Sequence, residues 1–237
     1  MFSRLLVALA ASILSLGMTA SALAQDVGAA LEVGLKDSRL PAMGLLVIRN
    51  GKVVAQAERG VRQNDATDPV QSSDVWHIGS DAKAMTATMI ARLVDRGELT
   101  WTAPLKEMLP ELTEDMRPEY RQMSLRDWAK FCVDQMQGAN GHGSLLKFET
   151  YRLMQTPQPN SVYAFGWGVL PAAMGRQGPV FTHDGSDGTW YAKVVLFPSS
   201  ESGVLAVANA GAPMGGENAD KSAMRAVVEA LAPAAKQ

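Results

Sequence analysis

Trp76-His77-Ile78-Gly79-Ser80-Asp81-Ala82-Lys83 runs without a break into Ala84-Met85-Thr86-Ala87-Thr88-Met89-Ile90-Ala91-Arg92-Leu93-Val94-Asp95-Arg96-Gly97. Apolar residues at Met85, Met89, Ile90, Leu93 and Val94 fall at helical spacing, and Gly97 stands where a helix would end, so a helix is predicted to begin near Ser80. Ser80 and Lys83 then share one face of its first turn. A serine hydroxyl does not ionise near neutral pH and needs a neighbour to take its proton. A lysine can do this only if desolvation or nearby positive charge makes its amine give up a proton more readily. The positive end of the helix dipole also points at Ser80, where an oxyanion would develop. Spacing alone leaves two readings open for Ser80, a nucleophile and a helix N-cap.

The pattern Ser-x-x-Lys is short, and on the order of one chance match is expected in a chain of this composition. Ser144-Leu145-Leu146-Lys147 is a second match. It follows the glycine-rich Gly138-Ala139-Asn140-Gly141-His142-Gly143, where a loop or N-cap serine is the better reading.

The 237 residues are 47% hydrophobic and 19% charged, enough for one sizeable globular domain. A net charge of −2, with no stripe of Lys and Arg, gives no footprint for nucleic acid. Cys132 is the single cysteine, so no intrachain disulfide can form. His77, His142 and His183 lack the spacing of metal ligands, and neither a metal nor another cofactor is expected. Residues 1–24 read as a secretory signal peptide: Arg4 supplies the charge, Leu5 to Leu16 the apolar core, and Ala22-Leu23-Ala24 the cleavage site before Gln25. The stretch is too short for a stable membrane span, so a periplasmic or secreted protein is expected, with residues 25–237 as its domain.

Asp26 to Lys36 reads as an amphipathic helix, followed by two strands around Asn50-Gly51, a strong hairpin signal. Arg62 to Ser73 is a polar loop, and residues 111–120 read as an exposed charged segment. Ser124 to Gln137 resumes helical spacing, with Ser124 and Asp127 in a capping-box relation and Cys132 on the apolar stripe as a packing residue. Phe148 to Met154 is a short helix. Val162 to Val169, Gly188 to Phe197 and Gly203 to Asn209 read as strands, and Asn218 to Leu231 as a closing helix. The fold class predicted is α+β: an antiparallel sheet flanked by N- and C-terminal helices, with a helical insertion at about 74–160.

His183-Asp184-Gly185-Ser186-Asp187-Gly188 leads into the strand from Thr189. Two readings stand: a polar turn, or the far wall of a site, with the backbone amides of Ser80 and Ser186 as an oxyanion hole and His183 facing the cleft. Gly-x-Ser-x-Gly is absent, against an α/β-hydrolase nucleophile elbow.

Taken in order, His77-Ile78-Gly79-Ser80-Asp81-Ala82-Lys83, Leu93-Val94-Asp95-Arg96-Gly97-Glu98-Leu99, Tyr163-Ala164-Phe165-Gly166-Trp167-Gly168 and His183-Asp184-Gly185 resemble the serine beta-lactamase-related family of class C beta-lactamases, DD-peptidases and esterases. The resemblance covers most of the chain after the signal peptide. It implies that Ser80 is acylated, that Lys83 is its proton partner, and that His183, Asp184 and Gly185 stand at the family's Lys-Thr-Gly or His-Thr-Gly substrate-binding motif. A small-molecule or short peptide substrate is implied, with no nucleic acid and no stable membrane span; the oligomeric state is left open.

The chain also departs from that family. Its Tyr-x-Asn motif is missing, since Tyr120, Tyr151, Tyr163 and Tyr191 are followed two residues on by Gln122, Leu153, Phe165 and Lys193. Met123-Ser124-Leu125-Arg126-Asp127 resembles the entry to the family's helical lobe, while Asp127-Trp128-Ala129-Lys130-Phe131 resembles a helix much further on. Most of that lobe is therefore expected to be absent, together with the tyrosine that assists proton transfer. Asp184 replaces a hydroxyl residue, which disfavours substrates bearing a carboxylate. Two alternatives to a serine hydrolase remain: a non-enzymatic binding remnant of the fold, and a chain that folds poorly because helices expose faces once covered by the lost lobe.

Overall fold

A computed structural model describes residues 20–36, 38–102 and 122–230. The core of the predicted signal peptide, the charged segment 111–120 and Leu231 lie outside them. Helix α1 (Ala20–Leu35) leads into β1 (Ala42–Arg49) and β2 (Lys52–Gly60), joined by Asn50-Gly51 with φ of 50° and 67°, the paired positive values a two-residue hairpin turn requires. A short β3 (Trp76–His77) precedes a single 3₁₀ turn at Gly79–Asp81, from which α2 (Ala82–Asp95) continues. Gly97 ends α2 as expected: its N–H bonds Val94 O and the N–H of Glu98 bonds Leu93 O, both at 2.9 Å, a Schellman closure. After β4 (Gln122–Met123) come α3 (Leu125–Ala139) and α4 (Phe148–Met154). Ser124 caps α3, accepting from Asp127 N–H at 3.2 Å.

The last third is β5 (Tyr163–Ala164), β6 (Trp167–Ala173), β7 (Arg176–Ser186), β8 (Tyr191–Phe197), β9 (Ser202–Ala208) and α5 (Gly216–Ala230). Seven strands form one antiparallel sheet in the order β2-β1-β9-β8-β7-β6-β5, and β3 pairs with β4 apart from it. The expected α+β class with terminal helices holds. Two local readings are corrected. The segment 162–169 is a tight hairpin rather than one strand, because Phe165 and Gly166 both take positive φ (39° and 100°). His183–Ser186 is the end of strand β7, not a turn, and the chain reverses only after it, before β8 begins at Tyr191.

Both faces of the sheet are covered, so β1 is a continuous apolar run rather than an alternating one. Met43, Leu45 and Val47 pack with Val27 and Leu31 of α1 and Ala223, Met224 and Val227 of α5. Leu46 and Ile48 face the other way, towards Trp76, Leu125, Trp128, Cys132 and Trp167. Burial of side chains this large contributes roughly 1.5–3 kcal/mol each. Cys132 is fully buried, and that burial pushes its thiol up, with Asp81 adding to the effect, in keeping with a packing role. On α2 the predicted stripe is only partly inward, with Met85, Leu93 and Val94 half-buried. Ala84, Thr88 and Ala91 are buried, while Met89 and Ile90 are 61% and 37% exposed. The Phe165-Gly166 turn explains this, since a Cβ on Gly166 would stand 2.4 Å from Ala84 N and only the small-residue face of α2 can approach so closely.

Candidate active site

Ser80 lies in the 3₁₀ turn between β3 and α2, and Lys83 in the first turn of that helix. Lys83 Nζ is 2.6 Å from Ser80 Oγ, the lysine donating. No side chain caps either helical segment here, so the reading of Ser80 as an N-cap is set aside. Lys83 is exposed and Ser80 half-buried, an open site. The second Ser-x-x-Lys is scaffold. Ser144 N–H and Oγ bond the buried Asp134 carboxylate at 2.7 and 2.9 Å, with Tyr151 Oη donating to the same group at 2.5 Å. Lys147 Nζ bonds Asp95 O at 3.0 Å.

The end of β7 meets the Ser80 turn directly. Pairing of β6 with β7 stops at Thr182, so His183 to Ser186 form a local edge inside a strand that is otherwise interior. A Cβ on Gly185 would lie 1.8 Å from Ile78 O and 2.4 Å from an Asp81 carboxylate oxygen. A Cβ on Gly79, where φ is +51°, would lie 2.4 Å from Ser186 N. Only glycine fits on either side of this contact. It brings the backbones of Ser80 and Ser186 together, and Ser186 Oγ is turned away to donate to Trp190 O at 2.6 Å.

His183 and Gly185 face Asp81 and the helical side of the sheet, but Asp184 does not. Strand alternation turns it to the opposite face, where it pairs with Lys193 of β8, beneath the buried Asp220 of α5. Asp184 is therefore corrected from a cleft residue to a partner of Lys193. His183 does not act on Ser80 either: its Nε2 is 2.9 Å from Tyr163 Oη and its Nδ1 3.5 Å from Asp81 Oδ1. Asp81 is fully buried, and that burial, opposed by His183, pushes its carboxyl up to about 6. Burial and the nearby Asp81 push the Tyr163 phenol up as well, so it remains a hydrogen-bond donor.

Sequence reasoning missed three residues at this site. His77 is buried, with Nδ1 accepting Gly79 N–H at 3.1 Å and Nε2 3.5 Å from Asp187 Oδ2. Burial works to raise Asp187, but hydrogen bonds from Thr189 and Trp190 and the adjacent His77 outweigh it and hold the carboxyl below the usual range. Asp81 is the third. No local pattern marks any of them, because each partner lies on a distant element. Among the described residues no group of side chains could hold a metal ion, and no helix is long and apolar enough to cross a membrane.

The beta-lactamase family model matches residues 23–129. Esterase EstB of Burkholderia gladioli is 30% identical over 94 residues, which are 40% of this chain and 24% of that protein. A beta-lactamase of Pseudomonas fluorescens is 29% identical over 91 residues, 38% of this chain and 25% of that protein, so each match spans about a quarter of the relative. Among solved structures, a D-alanine carboxypeptidase AmpC from Burkholderia cenocepacia superposes with a TM-score of 0.70 at 14% identity, covering 90% of this chain and 100% of that one. A beta-lactamase from Sulfitobacter sp. EE-36 gives 0.70 at 12% identity, covering 91% and 99%. At such identities the likeness is one of fold. The sequence match over residues 23–129 and the shared fold together support a place in the serine beta-lactamase-related family.

Proposed function

We propose that this chain is a serine hydrolase that acts through an acyl-enzyme on Ser80. The observation that carries the reading is the 2.6 Å contact between Lys83 Nζ and Ser80 Oγ. It lies beside a strand end that brings Ser186 N to the same turn. In the proposed reaction Ser80 Oγ attacks a carbonyl carbon and its proton passes to a neutral Lys83. The N–H groups of Ser80 and Ser186 hold the oxyanion, and the leaving alcohol or amine takes the proton from Lys83. Water then attacks the acyl carbon, giving its proton to Lys83, and Ser80 recovers a proton as the acid leaves. Lys83 is a donor to Ser80 in this structure and serves as a base only after losing a proton.

The substrates proposed are small neutral esters, amides or short peptides. The names of its relatives and structural neighbour, an esterase, a beta-lactamase and a D-alanine carboxypeptidase, cover both ester and amide bonds. A carboxylate-bearing substrate is disfavoured because an imidazolium at His183 would be offset by Asp81 beside it. Export with cleavage before Gln25 would leave in place Val27, Ala30 and Leu31, which α1 packs in the core. Loss of the middle of the helical lobe fits the family match, which ends at residue 129. One observation favours a second reading, a binding remnant without chemistry: the site is open, with Lys83 exposed.

A fluorophosphonate probe separates the two. The hydrolase reading expects labelling of the wild type at Ser80 and none in Ser80→Ala. Labelling that persists in Ser80→Ala removes Ser80 from the chemistry, and a folded wild type that takes no label supports the remnant.

A further inference from the structure

Two imidazole–carboxylate pairs of opposite sense straddle Ser80. Before it, His77 of β3 reaches Asp187, just past the end of β7, with Nε2 to Oδ2 at 3.5 Å. After it, Asp81 reaches His183 of β7, with Oδ1 to Nδ1 at 3.5 Å. Each carries one group on the nucleophile's turn and one on the far wall, and between them lies the contact of Gly79 with Gly185 and Ser186.

Both pairs are fixed from behind. His77 Nδ1 accepts Gly79 N–H, so the ring proton sits on Nε2 and points at Asp187. The other oxygen of Asp187 accepts from Thr189 N–H at 2.9 Å, Thr189 Oγ1 at 2.8 Å and Trp190 N–H at 2.9 Å. His183 Nε2 faces the Tyr163 hydroxyl, which leaves Nδ1 to carry the proton towards Asp81. At this junction β6 ends its pairing at Thr182 and the 3₁₀ turn has no side-chain cap, so the two pairs act beside the packing of the buried Ile78.

We propose that the His77–Asp187 and Asp81–His183 pairs form a clamp that presses the Ser80 turn onto the end of β7 and sets the separation of the Ser80 and Ser186 amides. His77 and Asp187 are then positioning residues for the oxyanion hole. The inference rests on the hydrolase reading for its catalytic consequence, but the clamp itself is a statement about geometry. Oxyanion stabilisation depends on donors held about 3 Å from the developing charge, and a misplacement on the order of 1 Å costs about 100-fold.

Two substitutions and their combination dissect it. Asp187→Asn keeps the oxygen that Thr189 and Trp190 hold and sets an amide donor against His77 Nε2–H. His77→Asn retains an acceptor for Gly79 N–H but is too short to reach Asp187. The double variant tests whether the two act as one unit. With p-nitrophenyl butyrate, each single variant is expected to lose about 10- to 100-fold in kcat with KM within about twofold, and the double variant no more than the worse single. Folded single variants with unchanged kcat, or losses that multiply in the double variant, overturn the clamp.

A readout without turnover separates failure of the clamp from failure of the hydrolase reading. In Asp187→Asn the amide signals of Gly79, Ser80 and Ser186 are expected to shift, with hydrogen exchange faster by about tenfold. If the wild type proves inert towards ester and probe, the hydrolase reading fails and these amides still decide the clamp: unchanged signals and exchange refute it. A His77 ring found protonated on Nδ1 in nitrogen-15 spectra refutes it as well.

Discussion

Asp81→Asn is expected to stabilise the fold above about pH 6 while slowing the chemistry. Asp81 is buried at the residue after Ser80, and neither carboxylate oxygen makes a hydrogen bond among the described residues, His183 Nδ1 standing 3.5 Å from Oδ1. Burial raises its carboxyl to about 6, with His183 and Lys193 working against that rise and Asp184 adding to it. An unfolded aspartate titrates near about 3.9, so the native state holds this proton more tightly than the unfolded chain. The contribution to stability is therefore full below about pH 4 and is lost as pH rises through about 6, after which it is flat. Two pK units correspond to about 3 kcal/mol, the cost of keeping a buried carboxylate charged at neutral pH. Asparagine has the same shape and no charge to bury.

Urea unfolding followed by tryptophan fluorescence, from about pH 4.5 to about pH 8, isolates this term as the difference between wild type and variant. The variant is expected to be more stable by about 2–3 kcal/mol above about pH 7, about 4–12 °C in melting temperature, with the gap closing towards about pH 4.5. Asp187 is lowered in both proteins and cancels in the difference; Asp220 is raised chiefly by its own burial, with Asp81 a smaller contributor, so it cancels in large part. A variant less stable than the wild type above about pH 7, or a gap that does not change with pH, refutes the reasoning. The same substitution removes the carboxylate facing His183, so kcat should fall as stability rises. A group that costs stability and is held in place beside the proposed nucleophile has the profile of a functional residue.

Gly185→Ala would set a Cβ 1.8 Å from Ile78 O, so the Ser80 turn must leave the end of β7. Probe labelling is expected to drop by more than about 100-fold, with a loss of stability read by urea unfolding. Tyr151→Phe removes one donor from the buried Asp134 but leaves those of Ser144 and Leu145, and should cost about 1–3 kcal/mol in urea unfolding with no change in the rate of probe labelling at Ser80.

What could be read from the sequence was whatever has a local signature. The Asn50-Gly51 hairpin, the Ser124 cap, the Gly97 stop and the Ser80–Lys83 spacing each depend on residues within one turn of each other, and each is present. The distinction between Ser80 and Ser144 was also legible, because helical periodicity follows one and glycines precede the other. The β6–β7 hairpin at Met174-Gly175 was not read, since Pro171 within β6 and small alanines around it weaken the strand pattern. His183 to Ser186 carry the composition of a turn, and only the pairing of Asp184 opposite Lys193 makes them strand.

The outward face of α2 shows why packing was harder to infer than periodicity. Large side chains at Met89 and Ile90 signalled part of a core stripe, yet contact with Gly166 selects the face with the smallest residues, Ala84 and Ala91. The same physics hides the site. Gly79 and Gly185 matter for the atoms they lack, and His77 and Asp81 for partners brought to them by the sheet. Such features are invisible to any window of sequence, because the energy involved belongs to a contact between elements. The chemistry of the site, a hydroxyl beside an amine, is written within four residues; its precision depends on the end of β7, and the His–Asp pairs are where substitutions should separate the two.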